Sequence, residues 1–263
     1  MNKRNKVKKL SIKQILRRSV HFYKENFSHL AGMSAIIAIY TFFVQSLLVV
    51  REMLQEQRSN LLLWWTLAMV GITLLILVML PKLMLAMFIM IDKLLRKQPC
   101  TFKEAYRQTA GKYWAFMEYA VLTALAVSAP GLLFLFFKEP HLRLLYSVAI
   151  SPLCSALIQP FTCNPLIAIE KRGDGQYYKK ANRLQKGNCL TISLLNIGTV
   201  SLLTMIEHLC ENFFYEQELS LLIIHLIYAA AYFFIHPFSS VVAVVIYRTL
   251  REGRAAAKRK KSA

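Results

Sequence analysis

The sequence predicts an all-α polytopic membrane protein: six transmembrane helices in three repeated hairpins, each preceded by a basic amphipathic interfacial helix. Three observations carry that expectation. A proline-bearing hydrophobic ending recurs, as PKLMLAMFIMIDK from Pro81, PFTCNPLIAIEK from Pro160 and PFSSVVAVVIYR from Pro237. Each copy returns to charge ten or eleven residues after its proline, the kind of internal period that marks stacked copies of one supersecondary unit. Hydrophobic residues make up 56% of the 263 and charged residues only 18%. The apolar residues lie in long runs rather than in the periodic stripes of soluble helices. Finally, the cationic residues collect in alternate connections between those runs.

The first unit, residues 11–92, follows a basic tail of residues 1–10. Ile12, Ile15, Leu16, Ser19 and Tyr23 fall at i, i+3, i+4, i+7 and i+11, one face of a helix. Ser11 and Gln14 have the spacing of a capping box. Spans are expected at Leu30 to Val50 and Leu61 to Ile91, each long enough for a hydrocarbon core that needs about 20 helical residues. In the second unit, residues 101–170, Thr101 and Glu104 repeat the capping pattern. Phe102, Ala105, Tyr106, Thr109 and Tyr113 repeat the amphipathic face 90 residues later. Its spans are read at Trp114 to Phe137 and Leu144 to Ile169. The third unit, residues 174–248, is looser. Asp174 is placed to cap, KKANRLQKGNC from Lys179 aligns with RRSVHFYKENF from Arg17, and Tyr177, Tyr178, Ala181 and Leu184 supply the face. Its spans are Cys189 to Ile206 and Leu219 to Tyr247. Residues 11–250 thus form a single domain, and residues 251–263 are expected to be a disordered basic tail.

Six spans with both termini cytoplasmic put 28 of the 33 Lys and Arg residues on the inner side and 4 in the outer loops, leaving Lys82 within a span. That is the asymmetry of the positive-inside rule, and it expects both termini on the cytoplasmic side. The first span follows a basic segment too long for a signal-peptide n-region and is expected to remain as a signal anchor. The net charge of +19 is then explained by the phospholipid head groups of an anionic inner leaflet. No helix-turn-helix, zinc-finger or stacking-platform signature accompanies the cations, so nucleic acid is not an expected partner.

Five cysteines, Cys100, Cys154, Cys163, Cys189 and Cys210, imply no disulfide framework, since only Cys210 falls in an outer loop. Glu207, His208, Cys210, Glu211, Glu216 and Glu218 crowd that third outer loop. Their spacing fits no zinc or calcium template, so the expectation is a solvated acidic loop with no metal and no cofactor. No zincin helix, nucleophile elbow, Walker loop or dinucleotide glycine pattern occurs, and the chain is expected not to be an enzyme.

The sharpest polar feature is a stripe on the last span: His225, Tyr228, Tyr232 and His236 at i, i+3, i+7 and i+11. Such a stripe faces the bundle interior, either as hydrogen-bonded packing or as the lining of a path. Pro152, Gln159, Pro160 and Pro165 interrupt the fourth span, which reads as a kink or as the broken helix of a transporter. Lys82, beside Pro81, is an intramembrane charge that must snorkel, find a carboxylate or meet water. Glu118, four residues into the third span, is expected to pair with a basic neighbour at the inner surface. The interfacial lipid-binding cations are read as Lys13, Arg17, Arg18, Lys24, Lys103, Arg107, Lys112, Lys179, Lys180, Arg183 and Lys186, each contributing about 1 kcal/mol near an anionic leaflet before screening.

The segments RRSVHFYKENF, TFKEAYRQTAGKYW, NPLIAIEKRGDGQYYKKANRLQKGN and VVIYRTLRE make the chain resemble the bacterial YciC-like six-span integral membrane family. That family is similar to the membrane domain of some glycerophosphodiester phosphodiesterases. The resemblance covers nearly the whole chain. It implies a membrane scaffold without the soluble phosphodiesterase domain, so hydrolysis is not carried over. The expected function is non-enzymatic scaffolding or lipid organisation, with membrane phospholipids and an unidentified membrane protein as partners. The alternative is a small-molecule or lipid transporter using the proline-broken even-numbered spans. In that case His225→Leu with His236→Leu abolishes flux in folded protein. A weaker alternative is a lipid head-group enzyme, for which alanine at Glu104, Glu118, Glu170 and Asp174 is the direct test.

Overall fold

The computed structural model describes residues 10–56, 61–121, 162–170, 176–215 and 221–262. These residues form helices without strands: α1 (Ile12–Glu56), α2 (Leu61–Leu95), α3 (Phe102–Arg107), α4 (residues 113–121), α5 (Cys163–Ile169), α6 (Tyr177–Gln185), α7 (Cys189–Tyr215) and α8 (Leu221–Ser262). Two stretches, Ile12–Phe43 of α1 and Ile223–Ala256 of α8, are long and apolar enough to cross a membrane. Shorter apolar stretches lie at Leu63–Ile72 and Cys189–Thr199.

Each predicted amphipathic face is largely buried where the structure describes it. Ile15, Ala105 and Tyr177 are all below a tenth exposed, and Ser19, Thr109 and Ala181, four residues on, are at 0%, 1% and 0%. The small residues at that second position let the backbone of each segment approach its neighbour. Ile12 and Phe102, which open the first two faces, are exposed, and so is Tyr178, which the sequence assigned to the third. Gln185 takes the buried place instead, its amide donating to Thr162 Oγ1 at 3.0 Å. The capping box at Thr101 and Glu104 is formed in both directions, at 3.3 and 3.2 Å. Asp174 lies outside the described residues.

The first unit departs from a separate interfacial helix followed by a span. α1 is one helix of 45 residues, about 67 Å long at ~1.5 Å per residue. The cause is local: the equivalent junctions carry Gly111 in the second unit and Gly187 in the third, and α1 has no glycine or proline between Ser11 and Ala31. Gly187 ends the short α6 with φ of 90°, a left-handed turn that suits a residue without Cβ. In the second unit α3 is likewise a short helix, separated from α4 by turns.

Two further departures concern helix ends. α2 and α8 continue through Pro81 and Pro237, so these prolines lie inside helices rather than breaking them. A proline removes one donor and crowds the carbonyl four residues back, a local cost that tight packing of the following turns can absorb. Among the described residues those turns are the best buried: Leu85 to Asp92, Cys163 to Ala168 apart from Asn164, and Val241 to Tyr247. The three post-proline segments pack on one another, α2 against α5 and both against α8. The expected disordered tail is also absent within the described part, because α8 runs on to Ser262. Ala, Lys and Arg are strong helix formers, and cations at a helix C-terminus complement its dipole. Similarly, Glu207 to Glu211 continue α7 rather than forming a loop, while Glu216 and Glu218 lie outside the described residues.

α1 packs most extensively on α8, running antiparallel to it. Tyr23 meets Phe238 edge-on at 5.6 Å and Phe27 stacks on Phe234 at 5.8 Å, so the contacts recede along α8 as they advance along α1. The Tyr23 hydroxyl donates to the Phe234 carbonyl at 2.8 Å.

The outward faces are apolar. On α1 they carry Ile36, Ile39 and Phe43, on α2 Trp64, Leu67 and Val70, on α7 Leu190, Leu194 and Leu202, and on α8 Ile223, Leu226 and Phe234. Leu190 is 75% and Trp64 70% exposed. Each set recurs at three- to eight-residue steps, which keeps it to one side of its helix.

Candidate functional site at the charged ends of the helices

The post-proline segments end in a polar cluster. Asp92, the last buried residue of α2, lies 5% exposed. Its carboxylate accepts from Nε of Arg248 on α8 and pairs at 3.1 Å with Arg96, in the turn just past the end of α2. Arg248 is itself largely buried, with 13% of its side chain exposed, so this is an ion pair held away from water.

One turn along α8, Arg251 donates to the Tyr247 hydroxyl at 3.1 Å, and that hydroxyl donates in turn to Glu170 Oε1, also at 3.1 Å. Glu170 closes α5, whose last turn offers free carbonyl groups. Lys112, between α3 and α4, donates to one of them, Ala168 O. Burial pulls the Lys112 ammonium below its ordinary pKa, and the charge of Asp92 partly restores it. A lysine at a helix C-terminus satisfies both the orphan carbonyl and the helix dipole. The turn between α6 and α7 is tied in as well, because Asn188 Oδ1 accepts from the Leu10 backbone at 2.8 Å.

Two cavities lined by described residues open at this end. The larger, about 580 Å³, lies between α1 and the close of α2, with Arg18, His21, Glu25 and Lys97 on its walls. His21 and Glu25 face each other across one helical turn at 3.3 Å. The smaller, about 180 Å³, lies between α5, α6 and α8, lined by Glu170, Lys180, Arg183, Tyr247, Arg251 and Arg254 among others.

The interfacial cations singled out in the sequence sit at this end in two ways. Lys13, Arg17, Arg18, Lys24, Lys103, Arg107, Lys179, Arg183 and Lys186 are exposed. Lys112 and Lys180 are half-buried, and the Lys112 ammonium donates to the Ala168 carbonyl. Lys82 meets an aromatic face, its ammonium 5.4 Å from the Tyr113 ring centre, a partner the sequence reading did not weigh. Glu118 is exposed on α4. Three members of the histidine stripe are in ring contact. Tyr228 and Tyr232 lie 6.0 Å apart, Tyr232 stacks on His236 at 5.1 Å, and His236 is 9% exposed while His225 is half-buried. Pro165 is buried within α5, and Pro152, Gln159 and Pro160 lie outside the described residues.

The polar cluster itself went unread in the sequence, yet a signal for it was there. Asp92 and Arg248 each stand eleven residues after a repeated proline, and Glu170 and Tyr247 each stand ten after one. The bonded partners are therefore equivalent positions of the repeat. No family model, no curated protein and no solved structure matches the chain, so the residues and their geometry carry the functional reading.

Proposed function

We propose that the chain is a non-enzymatic, six-span protein of a bacterial inner membrane, with both termini cytoplasmic, that scaffolds a partner or organises anionic lipid, as the resemblance to YciC-like proteins suggests. The observation that carries this reading is the apolar stripe exposed on each of α1, α2, α7 and α8. A water-soluble monomer rarely leaves contiguous apolar surface of this extent uncovered, whereas hydrocarbon covers it without cost. The exposed cations from Lys13 to Lys24, and again from Lys179 to Lys186, flank those stripes on the chain, where an anionic leaflet attracts them. Trp114, 78% exposed beside Tyr113, has the amphipathic ring that settles at head-group depth. The ion pairs and hydrogen bonds among Asp92, Arg248, Glu170, Tyr247 and Lys112 brace the inner ends of the helices, which suits a rigid platform.

Native mass spectrometry of protein released gently from its own membrane tests this. Selective retention of an anionic phospholipid supports lipid organisation, and a stoichiometric protein partner with unselective lipid supports scaffolding. Recovery of the chain in the soluble fraction contradicts the reading.

A further inference from the structure

The smaller cavity joins residues that the sequence kept apart. Lys180 and Arg183 belong to α6, the third basic segment, while Arg251 and Arg254 belong to the stretch expected to be a disordered tail. Because α8 stays helical beyond Tyr247, its next turns pass beside α6 and put four cations around a space of about 180 Å³. Glu170 is the carboxylate on that wall, and it is engaged by the Tyr247 hydroxyl. The lining therefore carries a formal excess of three positive charges.

We infer that this cavity is a binding site for a phosphoryl group, either the head-group phosphate of an anionic phospholipid or free phosphate. The inference rests on the membrane reading above only for the first of these sources. The chemistry favours a phosphoryl group because three of the four cations are arginines, whose planar guanidinium groups bind tetrahedral oxyanions through paired N–H donors. Arg251 is already oriented by its bond to Tyr247, which lowers the entropy lost when it closes on a ligand. Arg183 and Arg254 make no ion pair with a carboxylate among the described residues. The space admits a phosphate and its first ester substituent, and the acyl chains of a lipid would remain outside, along the neighbouring apolar faces.

The test uses the full-length protein in two arms. In the first, protein in phosphatidylcholine nanodiscs doped with phosphatidic acid is released and its retained lipid read by native mass spectrometry. In the second, inorganic phosphate is titrated into protein in a neutral detergent. One saturable phosphoryl species per chain is expected, in the first arm if the source is lipid and in the second if it is free phosphate. Arg183→Gln combined with Arg254→Gln should weaken it about tenfold or more, since two charge-assisted contacts to the oxyanion are lost. Lys93→Gln combined with Lys97→Gln, at two cations near the close of α2 that do not line this cavity, should not. Glu170→Gln keeps an acceptor for Tyr247 and removes the repelling charge, so it should tighten binding, a gain that misfolding cannot imitate. Equal losses in the two paired variants, or no tightening in Glu170→Gln, would overturn the site while leaving the membrane reading in place. No saturable species in either arm overturns it also.

Discussion

Asp92 shows what a single residue does in this molecule. A carboxylate 5% exposed is expensive unless cations compensate it, and Arg248 and Arg96 do so. Asp92→Ala should lower stability by about 3 kcal/mol, because it strands the Arg248 guanidinium in a buried place. Asp92→Leu with Arg248→Leu should recover most of that loss, since no charge is then left uncompensated. Thermal unfolding in a fixed detergent measures both, and a double variant no better than the single one would show that the pair is not what holds these helix ends. Asp92 was hard to read in sequence because an acidic residue at a span boundary normally faces water, and its partner lies 156 positions away. Only the shared offset from the repeated prolines connects the two. Lys82 was half legible. Its need for a partner followed from its place in a span, but the Tyr113 ring required knowing which helices are neighbours.

Among the elements, local signals were reliable where they were self-contained. The capping box of α3 and the buried faces of α3 and α6 follow from spacing alone, because backbone donors and side-chain direction are fixed within one or two turns. What spacing could not show was continuity. α1 has no glycine where Gly111 and Gly187 interrupt the other units, so its amphipathic start and its apolar length are one rod. The end of α8 was misread from composition, since a run of like charges reads as disorder even when alanines and a helix C-terminus favour order. Gly253 tests this directly. It lies within α8, with nothing within 4 Å of where a Cβ would stand. Gly253→Ala should therefore raise stability by about 0.5–1 kcal/mol. An unchanged melting temperature is the outcome expected of a disordered tail and would contradict the helix.

At the scale of the whole molecule, apolar flanks, a buried post-proline core and a charged base form one arrangement. On the proposed membrane reading the apolar stripes would face hydrocarbon and the cations of the base would meet anionic head groups, while the core joins the post-proline segments of α2, α5 and α8. The central claim is that the chain crosses the membrane six times with its charged base in the cytoplasm, and the direct measurement is topology mapping. Protease sites inserted singly at residues 57–60, 138–143 and 216–220, and tags at both termini, are exposed in turn to protease in spheroplasts and in inside-out vesicles. The account predicts that the three inserted sites are cut only in spheroplasts and the two termini only in inside-out vesicles. Cleavage of either terminus in spheroplasts, or of any of the three sites in inside-out vesicles alone, would contradict it.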